Sequence, residues 1–245
     1  MPNCRICAVT SGFVKAHIIP EAFFRELREG EVAPLLLAGA KGHPPEKAPI
    51  GVYDKNLLCS VCESKFLRWD TYGIEKLLTR FDDYFTPLES EGKTIAHEAA
   101  VVDKLAVLDF LVSVLWRASV STHKFYNTVN LGPYEQKVLS QMLLNQGHAP
   151  DSFDAVLSRW VDDDDETLPT TGLMNPHREK WGGINAYRLY LGKIVAYIRV
   201  DQRPFSEPFA HLSLRAAGPC RIISRHLATS KDLQAMRKTL LVSIE

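Results

Sequence analysis

The chain has no surplus of either charge: 29 basic residues stand against 29 acidic ones in 245 positions. That balance removes any overall electrostatic pull toward nucleic acid or membrane and counts against a protein that coats DNA non-specifically, while leaving room for a small basic cleft. A long hydrophobic run is also lacking. The longest apolar stretch, Leu105 to Trp116, is broken by Asp109 and Ser113 and is too short and too polar to cross a bilayer. No charged region followed by an apolar run opens the sequence, so a secretory leader is not expected and the expected compartment is cytoplasmic. Repeats and low-complexity tracts are absent too. What remains, 46% hydrophobic and 24% charged residues, is the composition of an ordinary globular core in one large or two small domains.

Cysteine is scarce, but four of the five are arranged. Cys4 and Cys7 form one Cys-x-x-Cys unit, and Cys59 and Cys62 form another. Thiols stay reduced in the cytoplasm, so paired cysteines there bind metal more often than each other. A pair at this spacing wraps one side of a Zn²⁺ ion, and two pairs close a tetrahedral site. Cys220 is left over, in Gly-Pro-Cys-Arg, and reads as a small buried residue.

The 51 residues between the units are too many for a simple zinc ribbon. They hold the stretch SGFVKAHIIPEAFF (residues 11–24) and an Ala-, Gly- and Pro-rich segment from Ala33 to Pro49. After Cys62, the spacing of Phe66, Trp69, Gly73 and Leu77 predicts a helix that starts at the second unit. The order of knuckle, short strands, knuckle and helix is that of a treble-clef zinc fold.

Over about residues 1–78 the combination resembles a known family. Cys-x-x-Cys, then Lys-Ala-His-Ile-Ile-Pro at 15–20, then Asn-Leu-Leu-Cys-x-x-Cys-Glu at 56–63 is similar to the HNH (ββα-metal, His-Me finger) endonucleases. The likeness is to the zinc-bearing branch that includes endonuclease VII and to bacterial proteins with the same His-Ile-Ile-Pro motif. The resemblance implies a metal-dependent endonuclease hydrolysing phosphodiester bonds in DNA, with RNA left open, in a phage-defence or toxin-type setting. It implies structural Zn²⁺ on Cys4, Cys7, Cys59 and Cys62, and a catalytic Mg²⁺ or Mn²⁺.

In this resemblance His17 is the general base; read by itself it is equally a buried structural histidine or a further zinc ligand. Imidazole suits the role of base because its unperturbed pKa lies nearest neutrality. Pro20 would end the strand that presents it. Asn56 matches the residue that orients the histidine loop, and reads equally as a turn residue. Glu63 falls where the endonuclease VII branch has a metal-ligating asparagine. A glutamate is a competent hard ligand, and equally a helix residue favoured by the macrodipole. Lys15 and Arg68 are candidate phosphate contacts or plain surface charges.

Ala16 departs from the pattern, because the family places a metal ligand just before the base. Asp70, Asp54 and Glu21 are the candidates to replace it. Asp70 shares a helix face with Glu63 and is equally a group that supports the ligands from behind or a salt-bridge partner. If nothing replaces Ala16, the alternative is a catalytically inactive, zinc-stabilised nucleic-acid-binding or adaptor protein.

Beyond the motif, residues 81–100 read as a polar connector. Val102 to Ser121 reads as a strong helix, in which Trp116 and Arg117 mark a core, ligand or interdomain position. Pro133 to Asn145 reads as a second helix, with proline in its first turn. The acidic run Asp162 to Glu166 lacks the glycine-punctuated pattern of a calcium loop and reads as solvated loop. Residues 184–200 alternate about Leu191-Gly192-Lys193 as a β-hairpin. Seven further histidines stand singly, and of these only His177, in the loop Asn-Pro-His-Arg, is a candidate for more than a structural place. The expected architecture is α+β: a treble-clef ββα-metal module (1–80), the connector (81–100), and a mixed helical and hairpin domain (101–245). That domain is left to recognition, sensing or oligomerisation, with a homo-oligomer or regulatory partner expected there and no membrane.

Overall fold

The structure, a computed structural model, describes residues 2–28, 33–37, 45–161 and 172–242. The acidic run 162–166 and part of the Ala33–Pro49 segment lie outside them. From the N-terminus come β1 (Ala16–His17), α1 (Glu21–Glu26), β2 (Leu35–Leu37), β3 (Glu46–Lys47) and β4 (Tyr53–Asp54). A helical run comes next: α2 (Ser60–Glu63), one 3₁₀ turn, and α3 (Leu67–Ile74), widening to a π turn at Glu75–Thr79. Then come α4 (Phe81–Tyr84), β5 (Thr86–Ser90), β6 (Lys93–Ala99), α5 (Lys104–Val120), and α6 (Pro133–Val138) with a π turn beyond it. The chain continues through β7 (Phe153–Val161), β8 (Gly172–Met174), β9 (His177–Trp181), β10 (Ile184–Leu191), β11 (Ile194–Val200), β12 (Cys220–His226) and α7 (Lys231–Val242). The fold is mixed α+β. No described helix is long and apolar enough to cross a membrane.

Among the described residues the largest sheet has seven strands in the order β5-β6-β12-β7-β11-β10-β9, all antiparallel except β12 beside β7. Its centre is the hairpin expected from the sequence: β10 and β11 pair from Leu191↔Ile194 outward, and Gly192 supplies the positive φ of 61° at the turn. β1 pairs with β4 in the register Ala16↔Asp54 and His17↔Tyr53, and β2 joins β3 and β8.

Helix α5 is the central pillar. Asp103 starts it by accepting the N–H groups of Leu105 (2.9 Å) and Ala106 (3.2 Å). Residues 107–118 are buried on every face, which a helix tolerates only when packed on all sides. It lies against α3, α6 and the strands β7 and β11. Each fully buried Leu, Val or Phe contributes roughly 1.5–3 kcal/mol. Helix α3 approaches α5 closely at Gly73, where an added Cβ would stand 2.4 Å from the Phe110 ring.

Two expectations change here. Residues 81–100 are not a plain connector but α4 and the β5–β6 hairpin, which forms one edge of the large sheet. Their polarity reflects a mostly exposed edge strand. Pro20 does not close a strand; it flanks the N-terminus of α1. The helix begun at Cys59 does bury Phe66, Trp69, Gly73 and Leu77 on one face. Among the described residues one cluster of buried side chains runs from Cys4 to Met236, so the N-terminal module shares its core with the C-terminal two thirds of the chain.

Candidate metal centre and the histidine beside it

The first Cys-x-x-Cys is a tight turn: Cys4 N–H donates to Val9 O (2.8 Å), Ala8 N–H donates to Cys4 O (2.9 Å), and Ala8 takes a φ of 61°. Arg5 N–H donates to Leu57 O (3.0 Å), and Ser60 N–H donates to Gly12 O (2.9 Å). These bonds bring the turn against Cys59, the residue that precedes α2. The result is a cluster of Cys4, Cys7, Cys59 and Cys62 whose sulfurs all lie within 4.8 Å of one another. Zn–S bonds of ~2.3 Å in a tetrahedron place sulfurs ~3.8 Å apart, and Cys7 Sγ and Cys59 Sγ stand at 3.6 Å. The four cysteines can therefore hold a metal ion such as zinc.

The electrostatics agree with that geometry. Burial raises the Cys4 thiol, but N–H donors from Cys7, Cys59 and Ile6 outweigh it and bring the pKa to about 6. Burial, contacts with the other three sulfurs and the charge of Cys4 push Cys62 up. Four thiolates share so small a space only when a cation neutralises them.

His17 sits on β1, and the same backbone bonds carry it: Val14 N–H donates to Leu58 O (3.2 Å), and Phe13 bridges to Cys59. Its Nε2 lies 3.1 Å from Ile50 O. A carbonyl only accepts, so the proton belongs on Nε2 and Nδ1 keeps its lone pair. Burial holds the imidazole below its ordinary pKa, against the opposing pull of Glu21. The same burial favours the neutral form of the ring.

Arg117 stands behind the histidine. Fully buried on α5, it donates to both Asp70 oxygens (2.6 and 2.9 Å) and to the backbone carbonyl of His17 (3.0 Å). Its guanidinium also lies over the Phe66 ring at 4.7 Å. Asp70 is thus a salt-bridge partner that steadies the strand through Arg117. Glu63 has Oε2 buried with no partner among the described residues. Burial pushes its carboxyl up to about 7, although Arg117 pulls the other way.

Asp54 and Glu21 are also engaged. Asp54 is buried and accepts from Asn56 N–H (2.8 Å), Ser121 Oγ (3.1 Å), Thr122 N–H (2.8 Å) and Thr122 Oγ1 (3.0 Å), tying β4 to the end of α5. Glu21 pairs with Arg25 at 2.9 Å. Asn56 is exposed, and its side-chain amide makes no hydrogen bond among the described residues. Lys15 stands over the Tyr53 ring at 5.2 Å, next to His17, whereas Arg68 is exposed over Trp69 at 4.3 Å.

The structure therefore brings together the four cysteines, and it joins His17 to Asp70 through Arg117. Arg117 and Asp70 are also the charges that act on Glu63. It does not bring in Asn56 or Arg68. His177 lies on β9 with Nδ1 3.3 Å from Asn175 O and its ring 6.1 Å from Tyr190, in the large sheet rather than beside β1. Cys220 is buried, and Trp116 is a core residue donating to Glu135 O (3.2 Å). Arg117 was legible only as one charge inside an apolar helix, a residue that burial obliges to find a partner. Set against known protein families, curated proteins and solved structures, the chain matches none of them.

Proposed function

We propose that this chain is a metal-dependent endonuclease of the HNH kind that hydrolyses phosphodiester bonds in DNA, on a treble-clef module held by zinc at Cys4, Cys7, Cys59 and Cys62. The observation that carries the reading is the 3.1 Å contact between His17 Nε2 and Ile50 O, which a ring protonated on Nε2 satisfies. Ile50 O takes the Nε2 proton and leaves an unprotonated Nδ1 on a strand fastened to the cysteine cluster. In this reading Nδ1 removes the proton from the water that attacks phosphorus, the step a base near neutrality performs best. Arg117 keeps the strand in place by holding the His17 carbonyl. Glu63, whose buried Oε2 lacks a partner among the described residues, is the carboxylate available to hold Mg²⁺ or Mn²⁺. That ion would supply charge stabilisation at the phosphate oxygens.

A second reading has its own observation. Ala16 is fully buried and offers no ligand, both Asp70 oxygens are committed to Arg117, and Asn56 orients nothing among the described residues. On those grounds the chain is a zinc-stabilised nucleic-acid-binding or adaptor protein without catalysis. Supercoiled plasmid with Mg²⁺ or Mn²⁺ separates the two, with wild type and His17→Ala purified in parallel. The nuclease reading expects nicking that falls ~10²–10⁴-fold in the variant. Silence from a zinc-loaded wild type moves the adaptor reading to the front, and equal cutting by both proteins removes His17 from the reaction.

A further inference from the structure

We infer that the trough between the β3–β4 segment and the loop after α5 is the track for a single nucleic-acid strand; the nucleic-acid ligand rests on the nuclease reading, and the trough adds which strand form binds and through which residues.

The cavity is about 770 Å³, running along Glu46–Lys55 and facing Thr122–Lys124. It adjoins the candidate base, because Ile50, which accepts the His17 Nε2 proton, and Tyr53, whose ring is 5.8 Å from the imidazole, both line it.

Its floor is apolar, with Leu36, Ala48 and Val52 buried and Ile50 38% exposed. Its charges do not cancel. Lys47, Lys55 and Lys124 stand against two carboxylates, Glu46, which is paired with Lys124, and Asp54, which is buried and turned to four neutral donors. Lys47 and Lys55 are exposed and have no acidic partner among the described residues, and Lys15 adds a third cation on the Tyr53 ring.

His123, which also lines the trough, adds a donor. Phe125 N–H donates to its Nδ1 (3.2 Å), so the neutral ring carries its proton on Nε2, which has no partner among the described residues. Cations and an N–H over an apolar floor suit a ligand with anionic acceptors on one side and apolar faces on the other. A nucleic-acid strand is such a ligand, its phosphates on the lysines and its sugars and bases on the floor. The volume has room for a short stretch of one strand, and an apolar floor meets base faces only where they are not already stacked and paired within a duplex.

The test is fluorescence anisotropy of a labelled mixed-sequence oligonucleotide, single-stranded and as duplex, against the full chain in the His17→Ala background over a salt series. Adding Lys47→Ala and Lys55→Ala is expected to weaken single-strand binding at least tenfold. It should also flatten the slope of log K against log salt by about 1.4, at ~0.7 per lost phosphate contact. Adding Lys93→Ala and Lys180→Ala instead, on exposed strand positions elsewhere, is expected to change neither. Zinc content and circular dichroism must match across the set. Unchanged affinity and slope in the Lys47/Lys55 variant, tighter binding of the duplex, or no binding of either overturns the inference. The plasmid assay fails separately: a silent wild type with Lys47- and Lys55-dependent binding sinks the nuclease reading alone. Nicking with undiminished binding sinks the track alone.

Discussion

Removing Arg117 should loosen the join between the cysteine module and the rest of the fold. The guanidinium is fully buried, and the Asp70 side chain is 18% exposed. Arg117→Ala leaves that carboxylate without its counter-charge, the His17 carbonyl without a donor, and the Phe66 face uncovered. Breaking a buried pair from one side costs ~3–5 kcal/mol, because the surviving charge stays desolvated. The partial exposure of Asp70 puts the expected loss at the lower end, about 3 kcal/mol. The lost carbonyl bond lies within that figure, since one side chain makes every contact. Urea unfolding at pH 7, monitored by circular dichroism and tryptophan fluorescence, measures it. The control is Arg117→Met with Asp70→Leu: with no charge left behind, most of the stability should return. A loss below ~1 kcal/mol in the single variant, or a double variant no better than the single, would refute the claim that this pair clamps the module.

The same packing has other measurable consequences. Gly73→Ala would press a methyl into the buried Phe110 ring and is expected to cost ~1–3 kcal/mol by overpacking, read as a lower urea midpoint; an unchanged midpoint means that α3 and α5 are further apart. Asp54 is held below the usual carboxylate range: burial opposes this, but donors from Asn56, Thr122 and Ser121 prevail. Its contribution to stability is complete above an unfolded pKa of ~3.9 and is lost as pH falls through the lower folded value. Asp54→Asn should therefore be less stable at pH 7 and lose less between pH 4 and pH 2, and parallel stability curves would show that Asp54 is not the anchor. One zinc per chain is expected by elemental analysis, and a chelator or Cys62→Ser should lower the unfolding midpoint of the whole chain, because α3 shares its core with α5. A midpoint indifferent to zinc would contradict that coupling.

The features legible in the sequence are local. The Cys-x-x-Cys pairs, the helix around Leu108 to Leu115 and the hairpin at Gly192 each signal themselves by spacing within a dozen residues. The parallel pairing of β12 with β7 has no such signature, since its partners, such as Ile222 and Leu157, meet only once the intervening strands are in place. The exposed edge β5 looks like a linker because an edge strand need not alternate apolar and polar residues. The same limit applies at the candidate site. His17 is visible through its neighbours, but the arginine that holds its carbonyl is 100 residues away, and Asp70 is 47 from that arginine. The saturation of Asp54 by Ser121 and Thr122 likewise depends on where α5 ends.

The general-base role is tested most directly by the protonation state of His17 itself. Long-range ¹H–¹⁵N correlation spectra of the full chain with labelled histidine, assigned by comparison with His17→Ala, report which ring nitrogen carries the proton and where the ring titrates. The expected result is a neutral ring protonated at Nε2, with Nδ1 free and a titration midpoint below the ordinary imidazole value of ~6.5. A ring protonated at Nδ1, or one charged at pH 7, would contradict that role, because Nδ1 would then have no free lone pair to take the proton from water.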